Sequence, residues 1–211
     1  MGNMGNPFMS YETFFFFDTF GTDTWTDNGV TIGVSAGALQ FTTTVNNDGS
    51  RKDMTGVALS DTAWVMRIKM DIAVELGAGN TQFMFGVFDN TVFDQTTVQD
   101  YLCYKIGVVP NATNVYYGNG VNAASGSNTT FTHAPAVETL YIEFSRLSAT
   151  SFKIELFSDA TYTTSVEAQT ATISSAIIGL RYLKAQCMIF TAGTFTGSID
   201  DVYVKNGVTA W

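Results

Sequence analysis

The chain has 211 residues, of which 45% are hydrophobic and only 14% charged, against roughly 25% charged in an ordinary soluble domain. That balance excludes disorder, which needs low hydrophobicity and high charge, and the length suffices to bury a core without disulfide or metal staples. Lys plus Arg number 10 against 19 Asp plus Glu, and the net charge of −9 argues against nucleic acid and anionic membrane surfaces as partners.

Residues 1–12 carry no periodic pattern and are read as an N-terminal arm, with 13–211 as one domain. The opening MGNMGNPFMSYE has neither a basic start nor an aliphatic stretch, so no signal peptide is expected in this chain. The expected location is extracellular or a virion surface. Next come Phe14, Phe15, Phe16 and Phe17. Consecutive strand residues point to opposite faces, so one sheet face cannot bury all four. They are read as a contact with another subunit, the alternative being a strand covered on both sides.

Residues 30–34 and 38–44 read as strands around a tight turn at Ser35-Ala36-Gly37. The clearest signal follows at 64–75. Trp64, Met66, Ile68, Met70, Ile72 and Val74 fall on one face; Val65, Arg67, Lys69, Asp71, Ala73 and Glu75 fall on the other. This period of two predicts a long strand with one buried and one wet face. Residues 82–88 are apolar on both faces and read as a central strand, and 101–109 continue the series. The stretch 110–136 is polar and reads as a long loop. Residues 139–147 and 151–158 form a predicted hairpin. The pattern is weakest over 166–178, where a short helical turn is allowed. Strands at 177–184, 186–190 and 198–205 close the chain. About a dozen strands with Gly, Asn and Ser turns predict an all-β, two-sheet antiparallel jelly-roll sandwich. No apolar run reaches the ~18–20 residues of a membrane helix. Cys103 and Cys187 both fall in apolar strands, as two buried thiols or as one disulfide.

Several segments in order resemble the concanavalin A-like (laminin G-like) jelly-roll superfamily. They are Phe17-Asp18-Thr19-Phe20 with Trp25, then Gly37-Ala38-Leu39, then Leu59 to Trp64 leading into the long strand, and finally Gly197-Ser198-Ile199-Asp200-Asp201-Val202-Tyr203-Val204. LSDTAWVMRIKMDI is also similar to lectin-like proteins of marine microbes and viruses. The superfamily includes lectins, carbohydrate-binding modules, glycosidases and virion surface proteins, so the resemblance implies a fold and leaves the function open. It also implies a calcium site between Asp200 and the N-terminal strand at Asp18. Strict alternation puts Asp200 on the core face with Val202 and Val204, where a carboxylate needs a metal or hydrogen bonds.

Catalysis is not expected. His133 is the only histidine, which leaves no raw material for His-based triads or zinc sites. Asp71 and Glu75 lie four apart on one strand, about 13 Å, too far for either glycosidase geometry. Glu143 and Glu155 stand singly and are placed to meet across the hairpin. Sugar binding is expected from aromatic platforms beside amides: Tyr116, Tyr117 and Asn119 in the polar stretch, and Trp25 beside Asp23, Asp27 and Asn28. The expected function is a non-catalytic particle or virion surface protein with subunit partners, and alternatively a glycan-binding lectin-like module.

Overall fold

The computed structural model describes residues 15–43, 46–54, 59–76, 81–93, 99–109, 112–121, 124–125, 129–133, 136–189 and 194–211. Among these the strands are β1 (Phe15–Asp18), β2 (Thr26–Asn28), β3 (Ile32–Ser35), β4 (Ala38–Thr42), β5 (Gly49–Asp53), β6 (Trp64–Leu76), β7 (Thr81–Phe88) and β8 (Tyr101–Val109). They continue as β9 (Ala112–Val121), β10 (Ala124–Ser125), β11 (Thr129–Thr130), β12 (Glu138–Ser148), β13 (Ser151–Phe157), β14 (Ser165–Thr172), β15 (Tyr182–Ile189) and β16 (Thr194–Asn206). No described residue is helical.

The strands form two antiparallel sheets. The first runs β14-β13-β12-β6-β16-β4-β3, with β1 also paired to β16. The second runs β10-β9-β8-β7-β15-β5-β2, with β11 also paired to β9. The long alternating segment is the spine of the first sheet. Its inward residues Trp64, Met66, Ile68 and Met70 have no exposed surface. Facing them from the second sheet are Phe83, Phe85, Leu102, Tyr104, Leu183 and Ala185, all in the same core cluster. Phe41 and Phe83 stack across the sandwich at 4.0 Å. The turn joining β3 to β4 carries Ala36 at φ 53° and Gly37 at φ 80°. Two successive positive φ values give the two-residue turn whose twist matches that of paired strands.

The structure departs from the sequence expectation in several places. The two strands read at 177–184 and 186–190 are the single β15, and Val65, read as wet, has no exposed surface. The stretch read as a loop over 110–136 is largely β9, β10 and β11. Its Asn- and Gly-rich residues have low strand propensity, and pairing with the apolar β8 overrides it. Residues 165–172 are the edge strand β14 rather than a helical turn. The polar strands β2 and β5 went unforeseen, because three to five polar residues carry no periodic signal.

A further departure lies in β16. Lys69 pairs with Asp200 while the preceding Ile68 pairs with Val202, so Asp201 is an extra residue in the ladder. It sits at φ 48°. This β-bulge breaks the period of two. Ile199, Val202 and Val204 all point inward with no exposed surface, and Asp200 turns to the outer face. The expectation of a carboxylate facing the core is thereby corrected.

The cysteines are both free and buried. Cys187 packs in the core between the sheets, and Cys103 packs in a second cluster with Met84, Phe88 and Tyr101.

Candidate functional site

The residues singled out by sequence fall in separate places. Trp25 is only 7% exposed. Its ring packs on Phe20 at 5.5 Å, and its indole Nε1 donates to Asp18 Oδ2 at 3.0 Å. A ring so placed offers no face to a sugar, which corrects that expectation. Tyr116, Tyr117 and Asn119 lie on β9, and their side chains are outside the described residues. The two carboxylates expected to hold calcium have other partners. Asp18 receives Trp25 Nε1 and the Phe20 amide. Asp200 receives the Lys69 ammonium at 2.8 Å. Among the described residues no group of three or more His, Cys, Asp or Glu could hold a metal ion. Of the phenylalanine run, Phe16 is half-buried and packs on the core, while Phe17 is 57% exposed. Phe14 and the Phe15 side chain lie outside the described residues.

The two outer faces of the sandwich differ. On the second sheet, Met84, Phe88, Tyr101 and Cys103 are buried. Lys184 has no exposed surface, and its Nζ donates to Val92 O at 2.6 Å and to Gln99 Oε1 at 2.9 Å. Gln186 donates to Phe93 O. Val92, Phe93 and Gln99 therefore cover Lys184 and Gln186 on this face. Gly49 makes room for Phe93: a Cβ there would stand 2.4 Å from its ring.

The outer face of the first sheet is organised by the wet side of β6. Arg67, Lys69 and Asp71 stand two residues apart, and each meets a partner on a neighbouring strand. Arg67 Nε donates to Glu143 Oε2 of β12 at 2.7 Å. Lys69 Nζ donates to Asp71 Oδ2 at 2.7 Å and to Asp200 Oδ2 of β16 at 2.8 Å. Thr139 of β12 donates to Asp71 Oδ1. The bulge at Asp201 makes this possible, since it turns Asp200 outward and level with Lys69.

Aromatic rings cluster at the Arg67 end. The guanidinium lies 4.2 Å from the Tyr162 ring centre and 4.8 Å from that of Trp211. Tyr141 meets Tyr162 edge-on at 5.8 Å, and Tyr203 meets Trp211 at 6.4 Å. Lys205 Nζ lies 4.2 Å from the Trp211 ring centre. Tyr162 holds the cluster in place: at φ 56° it leaves the usual backbone range, and its hydroxyl donates to Ile68 O at 2.9 Å, opposite the bulge. Trp211 remains 39% exposed.

At the other end, beyond Asp71, a groove of about 200 Å³ is lined by Gln40, Thr42, Asp71, Ala73, Thr196 and Ser198, with Phe41 and Gly197 at its base. Gln40 and Thr42 also line a larger groove of about 540 Å³ that reaches the β3 edge, so the two adjoin. From Arg67 to Ala73 the face spans six residues of one strand, about 20 Å.

Two carboxylates of this face, Asp71 and Glu155, are held ionised. Burial works to raise the Asp71 carboxyl, but hydrogen bonds from Lys69 and Thr139 outweigh it and hold the group below its usual range. Glu155, directly across the hairpin from Glu143, behaves alike: burial raises it and Lys153 brings it down further. Asp200 and Asp71 in turn push the Lys69 ammonium well above its ordinary value. The arrangement supplies hydrogen-bond acceptors and stacking surfaces, with each acid beside a fixed cation.

The alternation of 64–75 placed Arg67, Lys69 and Asp71 on one wet face. Tyr162, Trp211 and the groove residues come from distant segments, and no local signal joined them.

No protein-family model and no curated protein matches the chain. Solved structures do. Lectin UEA-II complexed with galactose is 12% identical, with a TM-score of 0.61 over 91% of this chain and 98% of that one. The CBM2 module of the evolved Dit of Lactobacillus casei BL23 phage J-1 is 11% identical, with a TM-score of 0.59 over 93% and 96%. Bacillus licheniformis beta-glucanase is 12% identical, with a TM-score of 0.60 over 91% and 98%. At such identity the likeness is one of fold: the chain shares the two-sheet antiparallel jelly-roll architecture of these lectin-like structures.

Proposed function

We propose that the protein is a non-catalytic glycan-binding module of lectin-like fold, and that the outer face of β6, β16, β12 and β4 is its binding face. The observation that carries this is the run of functional groups along β6: an exposed Trp211 ring at one end, ion-paired carboxylates at Lys69 in the middle, and a polar groove beyond Asp71. Sugars offer an apolar ring face and many hydroxyl donors. Exposed indole suits the first, and ionised carboxylates suit the second.

Hydrolysis would need a carboxyl that carries a proton at working pH beside one that does not. Lys69 bridges Asp71 and Asp200, and its hydrogen bond to Asp71 helps hold that carboxyl below its usual range. A neighbour complexed with galactose and another that is a carbohydrate-binding module support the binding reading. Trp211→Ala tests it. The ring is 39% exposed, so its loss spares the core. Retention on a bound oligosaccharide should weaken about tenfold, roughly 1.4 kcal/mol. Unchanged retention would remove the face from the account.

A second reading, that the module is displayed on a virion or other particle as one of several subunits, is favoured by the 57% exposed Phe17 on β1 and by the phage module among the neighbours. Light scattering in solution checks it: a mass well above one chain supports this reading, and a clean monomer at high concentration counts against it.

A further inference from the structure

The charge pattern of the same face points to a class of glycan. We propose that it takes a neutral, hydroxyl-rich saccharide and excludes uronate- and sulfate-bearing polymers, a proposal that rests on the reading above that this face binds glycan at all.

The argument is an account of the cations. An anionic saccharide is held by Lys or Arg whose charge is available to it. On this face Arg67 is paired with Glu143, Lys69 with both Asp71 and Asp200, and Lys153 with Glu155. Lys205 lies against the Trp211 ring, four residues along its own strand from Asp201. Lys69 keeps a third donor, but a uronate reaching for it would meet Asp71 and Asp200, two carboxylates already within 2.8 Å of that ammonium, and their repulsion opposes the bond gained.

The remaining cations offer no substitute. Lys105, Arg146 and Lys184 are buried, and Arg181 pairs with Asp53. Arg51 donates to Thr91 O and lies over Phe93. Lys52 donates to Thr24. Around them the chain carries a net charge of −9, which repels a polyanion at long range.

A neutral sugar meets the opposite situation. The groove presents Gln40, Thr42, Thr196 and Ser198, which both donate and accept, beside Asp71. An ionised carboxylate has about four acceptor positions. Asp71 uses one on Thr139 and one on Lys69, so sugar hydroxyls can donate to the others without breaking the ion pair. The Lys69 bridge then keeps the acceptors charged and in place.

The test uses the whole protein against neutral gluco- and galacto-oligosaccharides on one side and alginate and a sulfated polysaccharide on the other, at 20 and 500 mM NaCl. The proposal expects a neutral oligosaccharide to bind with less than a twofold change between the two salts, and no retention by either polyanion. Salt-sensitive binding to alginate or to the sulfated polymer overturns this inference and leaves the glycan-binding reading intact. Binding to none of the probes overturns the glycan-binding reading itself.

Discussion

Lys184 is an ammonium with no exposed surface, held by Val92 O and Gln99 Oε1 and 4.1 Å from the centre of the Phe88 ring. Burial pushes it down to about 7, with Asp89 pulling the other way. The unfolded chain holds that proton up to about pH 10.4. Between the two values the unfolded state binds more protons than the folded one, so stability rises with pH across that window and is flat below it. The whole window is worth up to about 5 kcal/mol. Cys187 acts oppositely: burial pushes its thiol up to about 12, so its effect lowers stability above about pH 8.5, the unfolded value. Lys184 therefore dominates between pH 7 and 8.5. Urea unfolding over that range should show the wild-type midpoint climbing and a Lys184→Met variant nearly level. Equal slopes would mean the ammonium is not desolvated as described. The variant also surrenders two hydrogen bonds, so the comparison lies in the slope and not in the midpoint at one pH.

The element that decides the binding face is β16. One additional residue, Asp201, keeps Ile199, Val202 and Val204 in the core while turning Asp200 out to Lys69. Replacing Asp201 by Gly keeps the extra residue and suits φ 48°. Its thermal unfolding should place it within about 1 kcal/mol of the wild type. Deleting Asp201 leaves Ile199, Asp200, Val202, Tyr203 and Val204 alternating on the faces they already occupy, so this variant should still unfold cooperatively. Loss of cooperative unfolding on deletion would show that the faces depend on the bulge itself and not on the alternation around it. The same strand marks the limit of what was readable beforehand. The period of two makes β6 and its two faces legible from Trp64 to Ile72, with Val65, placed on the wet face and yet without exposed surface, as the exception. In 198–205 a single inserted residue inverts the assignment of everything before it, and no side chain announces the insertion. Residues 112–121 failed for another reason: Asn and Gly suggested a loop, and the β8 partner that makes them a strand is a tertiary fact.

At the scale of the molecule, the low charge, the apolar alternation and the ordered motifs were enough to read a concanavalin A-like sandwich. They could not locate its working surface. Trp25, chosen for its ring, is taken up by Asp18 and Phe20. Trp211 became visible only when the chain end was laid over Arg67 and Tyr203. The two sheets now present different outer faces. That of the second is roofed over Lys184 and Gln186; that of the first carries the groove and the ring cluster. Amide and indole chemical-shift mapping by NMR, with a retained neutral oligosaccharide, distinguishes them directly. The account predicts perturbations concentrated on Arg67, Lys69, Asp71, Ser198, Tyr203 and the Trp211 indole, with the β8–β9 region unmoved. Perturbations centred instead on Tyr116, Tyr117 and Asn119 of β9 would contradict it and place the sugar on the other sheet.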